Sequence, residues 1–168
     1  NCLFNNKKSI RLHLSKWRKP HENVYPVKAK SSGSYQISTL AKNEAISKGY
    51  DDSLLLDSKS FIAEGTACNI FWRKGDTIYT PKTHSILNGI TRKIVIKIIE
   101  KLKLPLKIGD FSLNTITNAD EVFFTGTAAE VMNISSLNEY SFRTDEFTKL
   151  LKHEYNLLKE NKEIVLDD

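Results

Sequence analysis

Between residues 53 and 80, four short apolar runs follow one another with connections too brief to hold a helix. The spacing predicts strands over 53–56 and 61–64 around the polar turn 57–60. A hairpin is predicted over 69–73 and 77–80, around Lys74-Gly75-Asp76. Such a stretch pairs antiparallel, because parallel neighbours need a crossover of about a dozen residues or more. An amphipathic helix over 91–103 follows, its buried stripe made by Ile94, Val95, Ile98, Ile99 and Leu102. Hairpins interrupted by helices point to a mixed class, α/β (α+β mixed), and away from a regular doubly wound sheet.

The remaining elements fit that class. Residues 9–17 alternate, with Ile10, Leu12 and Leu14 on one side, as a half-buried strand does. Pro20 and Pro26 punctuate the loop that follows, and Gly33 gives a tight backbone path. A helix over 36–48 carries Ile37, Leu40, Ala41 and Ala45 and stops at Gly49. Residues 104–108 read as a strand, Ser112 as the cap of a short helix to about 119, and 121–125 as a strand ending at Gly126. A helix over 144–160 closes the chain, with Phe147, Leu150, Leu151 and Leu157 as its candidate buried residues.

At 168 residues this amounts to one domain with a sizeable core. The net charge of +5 comes from scattered lysines, which suits attraction of small anions. There is no basic stripe interleaved with aromatics, so no nucleic-acid partner is expected. No apolar run reaches the length of a bilayer span, and a cytoplasmic protein without a membrane partner is expected. Cys2 and Cys68 belong to no CxxC pair and read as free thiols. His13, His21, His84 and His153 show no metal-ligand spacing, so no metal is expected. Asn133-Ile134-Ser135 matches a glycosylation sequon, taken as a chance match. Neither GxGxxG nor GxxxxGK[ST] occurs.

Chemistry-bearing residues gather at element ends. Lys30 lies in Val27-Lys28-Ala29-Lys30-Ser31-Ser32-Gly33-Ser34-Tyr35, between an extended segment and a helix. Glu64 ends an apolar strand among small residues, where a carboxylate is costly without a partner. Asn88-Gly89-Ile90-Thr91-Arg92 opens the amphipathic helix, and free N–H groups there attract anions unless Thr91 or Asn88 simply caps the turn. Phe123-Phe124-Thr125-Gly126-Thr127-Ala128 runs an apolar strand into a hydroxyl-rich turn, a second candidate wall for an anion. An amine, a buried carboxylate and two anion-binding turns together suit pyridoxal 5′-phosphate.

The runs WRKPHENVYPVKAKSSGSY, LAKNEAISKGYDDSLLLD, FIAEGTACNIFWRKGDTIYTP, SILNGITR and ADEVFFTGTAAEV, in this order over about residues 9–131, resemble the class IV (D-amino-acid-aminotransferase-like) pyridoxal-phosphate enzymes. Branched-chain amino-acid aminotransferases are the most similar group. The resemblance implies that Lys30 is the Schiff-base lysine and proton carrier, that Tyr35 bonds the ring hydroxyl oxygen, and that Glu64 faces the pyridine nitrogen. It further implies that Ile90, Thr91 and Thr127 hold the phosphate and that Thr127 and Ala128 receive the substrate carboxylate. Transamination of leucine, isoleucine and valine with 2-oxoglutarate is the implied activity, in a homodimer or higher homo-oligomer. D-amino-acid aminotransferase, aminodeoxychorismate lyase and an inactive binding module are the alternatives. By the same resemblance, residues 27–168 form the large cofactor-binding domain, and 1–26 are the linker and first strand leading from a smaller N-terminal domain. Two spellings depart from the family: Ser31-Ser32-Gly33-Ser34, and residues 138–144 where a glycine-rich run is usual.

Overall fold

The computed structural model describes Phe4, residues 7–27 and residues 29–160. Lys28, Cys2 and the last eight residues, which carry part of the expectations above, lie outside the described residues.

Among the described residues, nine strands form one mixed sheet. In chain order they are β1 (Ser9–Lys19), β2 (Asp52–Asp57), β3 (Ile62–Gly65), β4 (Asn69–Lys74), β5 (Thr77–Pro81), β6 (Leu106–Gly109), β7 (Glu121–Gly126), β8 (Glu130–Leu137) and β9 (Tyr140–Ser141). The helices are α1 (Tyr35–Ser47), α2 (Ile90–Lys101), the single turn α3 (Asn114–Thr117) and α4 (Glu146–Glu160). Across the sheet the order is β3-β2-β1-β8-β7-β4-β5-β6, with β9 added to β8. β1 therefore sits inside the sheet and pairs parallel with both β2 and β8, while the predicted antiparallel pairing holds for β2–β3 and β4–β5.

The sheet curls until its edge strand β3 returns to the far half. Gly65 N–H donates to Cys68 C=O at 2.8 Å, and Ile62 N–H donates to Phe111 C=O at 2.8 Å. The curl encloses one apolar cluster, which includes Ile10, Leu12, Leu54, Trp72, Phe124 and Ile134. Alternate residues of the same strands, Phe71, Ile78, Phe123 and Val131, face outward under α2 and α4. That alternation is the pleat at work: Phe123 packs outside and Phe124 inside. Gly65 is required where the curl tightens, since a Cβ there would press into the Phe124 ring.

Several expectations shift. β1 runs two residues beyond the predicted strand, to Lys19, through an irregularity between Leu14 and Arg18 in its pairing with β2. The last helix begins at Glu146 and buries Phe147, Thr148, Leu151 and Tyr155, a repeat of nearly four residues; Leu150 and Leu157 lie off that stripe and are exposed. Leu40 is likewise exposed, because α1 lays only Ser38, Ala41 and Ala45 against the sheet. α3 spans four residues with no side-chain cap; Ser112 contributes its carbonyl to Thr115 instead. β8 and β9 are absent from the sequence reading. The sequon falls inside β8, with Ile134 fully buried between β1 and β7.

Candidate active site

Lys30, Tyr35, Ile90, Thr91, Thr127 and Ala128 line a single cavity of about 360 Å³. Lys30 and Tyr35 also line a smaller adjoining cavity of about 50 Å³, into which Glu64 is set. The fold brings together every sequence-predicted site residue along one cleft, although they come from four separate parts of the chain.

Each wall has a local cause. Glu64 is buried at the end of β3. Its Oε1 pairs with Lys19 Nζ at 2.8 Å, both side chains being less than a tenth exposed. Its Oε2 accepts 3.2 Å hydrogen bonds from Asn69 Nδ2 and from Leu87 N–H. Burial pushes the Glu64 carboxyl above its usual range, while the Lys19 ammonium pulls it back. Asn69 Nδ2 also donates to Leu87 C=O at 2.7 Å, so one amide fixes both the carboxylate and the loop before α2.

α2 starts without a side-chain cap: Gly89 is its N-cap residue and neither Asn88 nor Thr91 caps it. Asn88 Oδ1 instead accepts from Arg92 at 3.0 Å. Arg92 also donates to Pro81 C=O at 2.9 Å, which braces the loop from behind. Burial lowers the Arg92 pKa to about 10, with Glu64 opposing. Gly89 is needed because a Cβ would run into Asn69 Oδ1. The first-turn N–H groups are thus left facing a cavity, with the helix dipole behind them. Opposite stands Thr125, fully buried, its Oγ1 lacking a hydrogen-bond partner among the described residues. That hydroxyl therefore has hydrogen-bonding capacity left over at the cavity wall. The β7–β8 turn, Thr127-Ala128-Ala129, closes with Glu130 at φ 54°, the left-handed residue of a short hairpin loop. Cys68 also lines the cleft, but its burial raises the thiol pKa well above the usual range, so it stays protonated.

Residues 3–137 match the family model for amino-transferase class IV. The chain belongs to the class IV aminotransferase family. Among its relatives, a probable branched-chain-amino-acid aminotransferase of Rickettsia typhi is 43% identical over 153 residues, covering 89% of this chain and 53% of the relative. The branched-chain-amino-acid aminotransferase of Pseudomonas aeruginosa is 39% identical over 132 residues, covering 79% and 43%. Among solved structures, the branched-chain aminotransferase of Thermoproteus uzoniensis with norvaline superposes with a TM-score of 0.91 at 32% identity, over 98% of this chain and 55% of that one. The branched-chain amino acid aminotransferase of Thermobaculum terrenum, in its PLP-form (holo-form), gives 0.89 at 30%, over 95% and 53%. This class IV aminotransferase chain spans about half the length of the relatives it matches. Sequence reading of it missed Lys19, Asn69 and Thr125. Lys19 stands within one of the matching runs, but strand alternation counted from Ile10 puts it on the face away from the apolar cluster, where its ion pair with the buried Glu64, not a local pattern, encloses it.

Proposed function

We propose that this chain forms the cofactor-holding half of a branched-chain amino-acid aminotransferase that works with pyridoxal 5′-phosphate. The observation that carries the reading is the single cleft lined by Lys30, Tyr35, the uncapped start of α2 and the Thr127-Ala128 turn, with Glu64 at its inner end. The donor set fits the group: an uncapped helix start and the unpartnered Thr125 hydroxyl suit a phosphate, and Glu64 suits a cationic ring nitrogen.

When bound, the cofactor supplies a carbon that joins amines and an electron-poor ring that takes up charge as the substrate Cα–H bond breaks. Lys30 Nζ would anchor it and, once freed, would accept the substrate Cα proton and later give it back. Tyr35 Oη donates to the ring hydroxyl oxygen. Glu64 accepts from the ring N–H, and Lys19 favours its ionised form. Ile90 and Thr91 N–H groups, with the Thr125 and Thr127 hydroxyls, take the phosphate. The Thr127 and Ala128 N–H groups receive the substrate carboxylate. Leucine, isoleucine and valine with 2-oxoglutarate are the proposed substrates, supported by the names of the relatives. We further assign residues 27–168 to the large domain and 1–26 to its lead-in. A cytoplasmic homo-oligomer is the proposed setting; no described helix is long and apolar enough to cross a membrane.

The test is absorbance of the full chain with pyridoxal phosphate, followed by borohydride trapping, peptide mass analysis and turnover of L-leucine. Trapping at Lys30, lost in Lys30→Ala, is the expected result. Trapping elsewhere refutes the site, and turnover of D-alanine without L-leucine refutes the substrate.

A further inference from the structure

The loop after β1 and the loop between β5 and α2 meet at a solvent-facing corner beside the cleft. Glu22 N–H donates to His84 C=O at 2.9 Å, joining the two backbones. His84 Nδ1 stands 3.1 Å from Glu22 Oε1. The His21 and His84 rings lie 5.8 Å apart between centroids, 15° from parallel. One ligand atom from each of His21, Glu22 and His84 falls within 4.8 Å of the others. We propose that these three residues form a site for a divalent transition metal of the zinc, cobalt or nickel class, which clamps the loop leading to Lys30 onto the loop leading to α2.

The donor chemistry selects the metal. Two imidazoles and one carboxylate suit borderline cations, whereas magnesium and calcium favour oxygen ligands throughout. Around tetrahedral zinc, bonds of about 2.0–2.1 Å place neighbouring ligand atoms about 3.3 Å apart. The Glu22–His84 separation already matches, so both ligand atoms reach one ion without moving apart. His21 closes the third corner by a small side-chain swing. That swing costs one long hydrogen bond, Asn23 N–H to His21 Nδ1 at 3.3 Å, and the exposed Asn23 then turns to water.

The backbone is prepared for the site. His21 C=O accepts from Val24 N–H at 2.8 Å and from Tyr25 N–H at 3.2 Å, holding residues 21–25 in a tight turn. Side chains 29% and 49% exposed at Glu22 and His84 leave the remaining coordination positions to water. The clamp stands next to the cleft: Pro20 and Leu87 both line the inner cavity, and Leu87 N–H bonds Glu64. A metal there restrains both loops without touching the reacting atoms. Sequence spacing hides the cluster, since 62 residues separate Glu22 from His84.

The test is titration of the metal-free, untagged chain with cobalt(II), read by visible ligand-field absorption, and then with zinc as competitor. One equivalent bound, displaced by zinc, is the expected result, with affinity falling about tenfold or more in His84→Ala and in Glu22→Gln. Zinc is expected to raise the melting temperature of the parent chain and not that of His84→Ala. No saturable uptake, or uptake unchanged in both variants, overturns the proposal. His84 is exposed, so its replacement leaves the fold intact and the comparison readable.

Discussion

Replacing Lys19 with Met removes a buried charge while keeping most of the length of the side chain. At the 2.8 Å separation from Glu64, an effective dielectric of about 20 gives an attraction of about 6 kcal/mol. That is a ceiling, because both ions also lost their hydration. Breaking one side of such a pair costs about 3–5 kcal/mol when the orphaned charge stays buried. Glu64 can escape that penalty by protonating, which makes the cost depend on pH. Its pKa already lies above the ordinary 4.5, and without Lys19 it rises further. A group with a raised folded-state pKa destabilises progressively as pH climbs from the unfolded value to the folded one. Lys19→Met is therefore expected to lose about 3–5 kcal/mol at about pH 8 and less than half of that at about pH 5. Urea unfolding of parent and variant at the two pH values reads the difference directly. The double variant Lys19→Met/Glu64→Gln, with no charge left to bury, is expected to recover much of the loss. An equal deficit at both pH values, or no recovery in the double variant, refutes the electrostatic reasoning.

Thr125→Val replaces the unpartnered hydroxyl with a methyl of the same shape, so stability is expected to hold or rise slightly. Affinity for pyridoxal phosphate should fall about tenfold, as measured by cofactor titration; lost stability with unchanged affinity contradicts the phosphate role of Thr125. Glu44 has the opposite linkage to Glu64. Burial opposes its ionisation, yet hydrogen bonds from Ser15 Oγ, Lys48 and Lys16 N–H lower its pKa from 4.5 to about 2. Its contribution is complete above 4.5 and is lost as pH falls towards 2, so Glu44→Gln should flatten that part of a melting-temperature curve. An unaltered acid limb in the variant would count against it.

The sequence is most legible where one periodicity runs undisturbed. The α2 stripe of Ile94, Val95, Ile98 and Ile99 matches its expectation, and so does the β4–β5 hairpin, where Gly75 takes a φ of 56°. β8 is hidden by Asn133, Ser135 and Ser136, polar residues that suggest a loop; yet Ser135 Oγ donates to Ile10 C=O, across 125 residues of chain. At the missing glycine-rich run Asn138 turns the chain with a φ of 47°, and its Oδ1 accepts from Leu14 N–H. The site divides in the same way. Lys30, Tyr35 and Glu64 stand out because whole motifs announce them. Lys19 and Thr125 do not, because their significance rests on a long-range buried ion pair and an unmet hydrogen bond, neither of which leaves a local pattern.

The interior place of β1 also sets a schedule for synthesis and folding. One neighbour, β2, emerges soon after it, but the other, β8, comes more than a hundred residues later. Closing a loop of that size costs about 4 kcal/mol of chain entropy before any ladder bond repays it. Until β8 arrives, β1 presents an open edge next to apolar Ile10 and Leu12, a template for the wrong strand of another chain. Folding of this chain is therefore governed by its last large strand, and any interruption of synthesis before residue 130 leaves its first strand exposed.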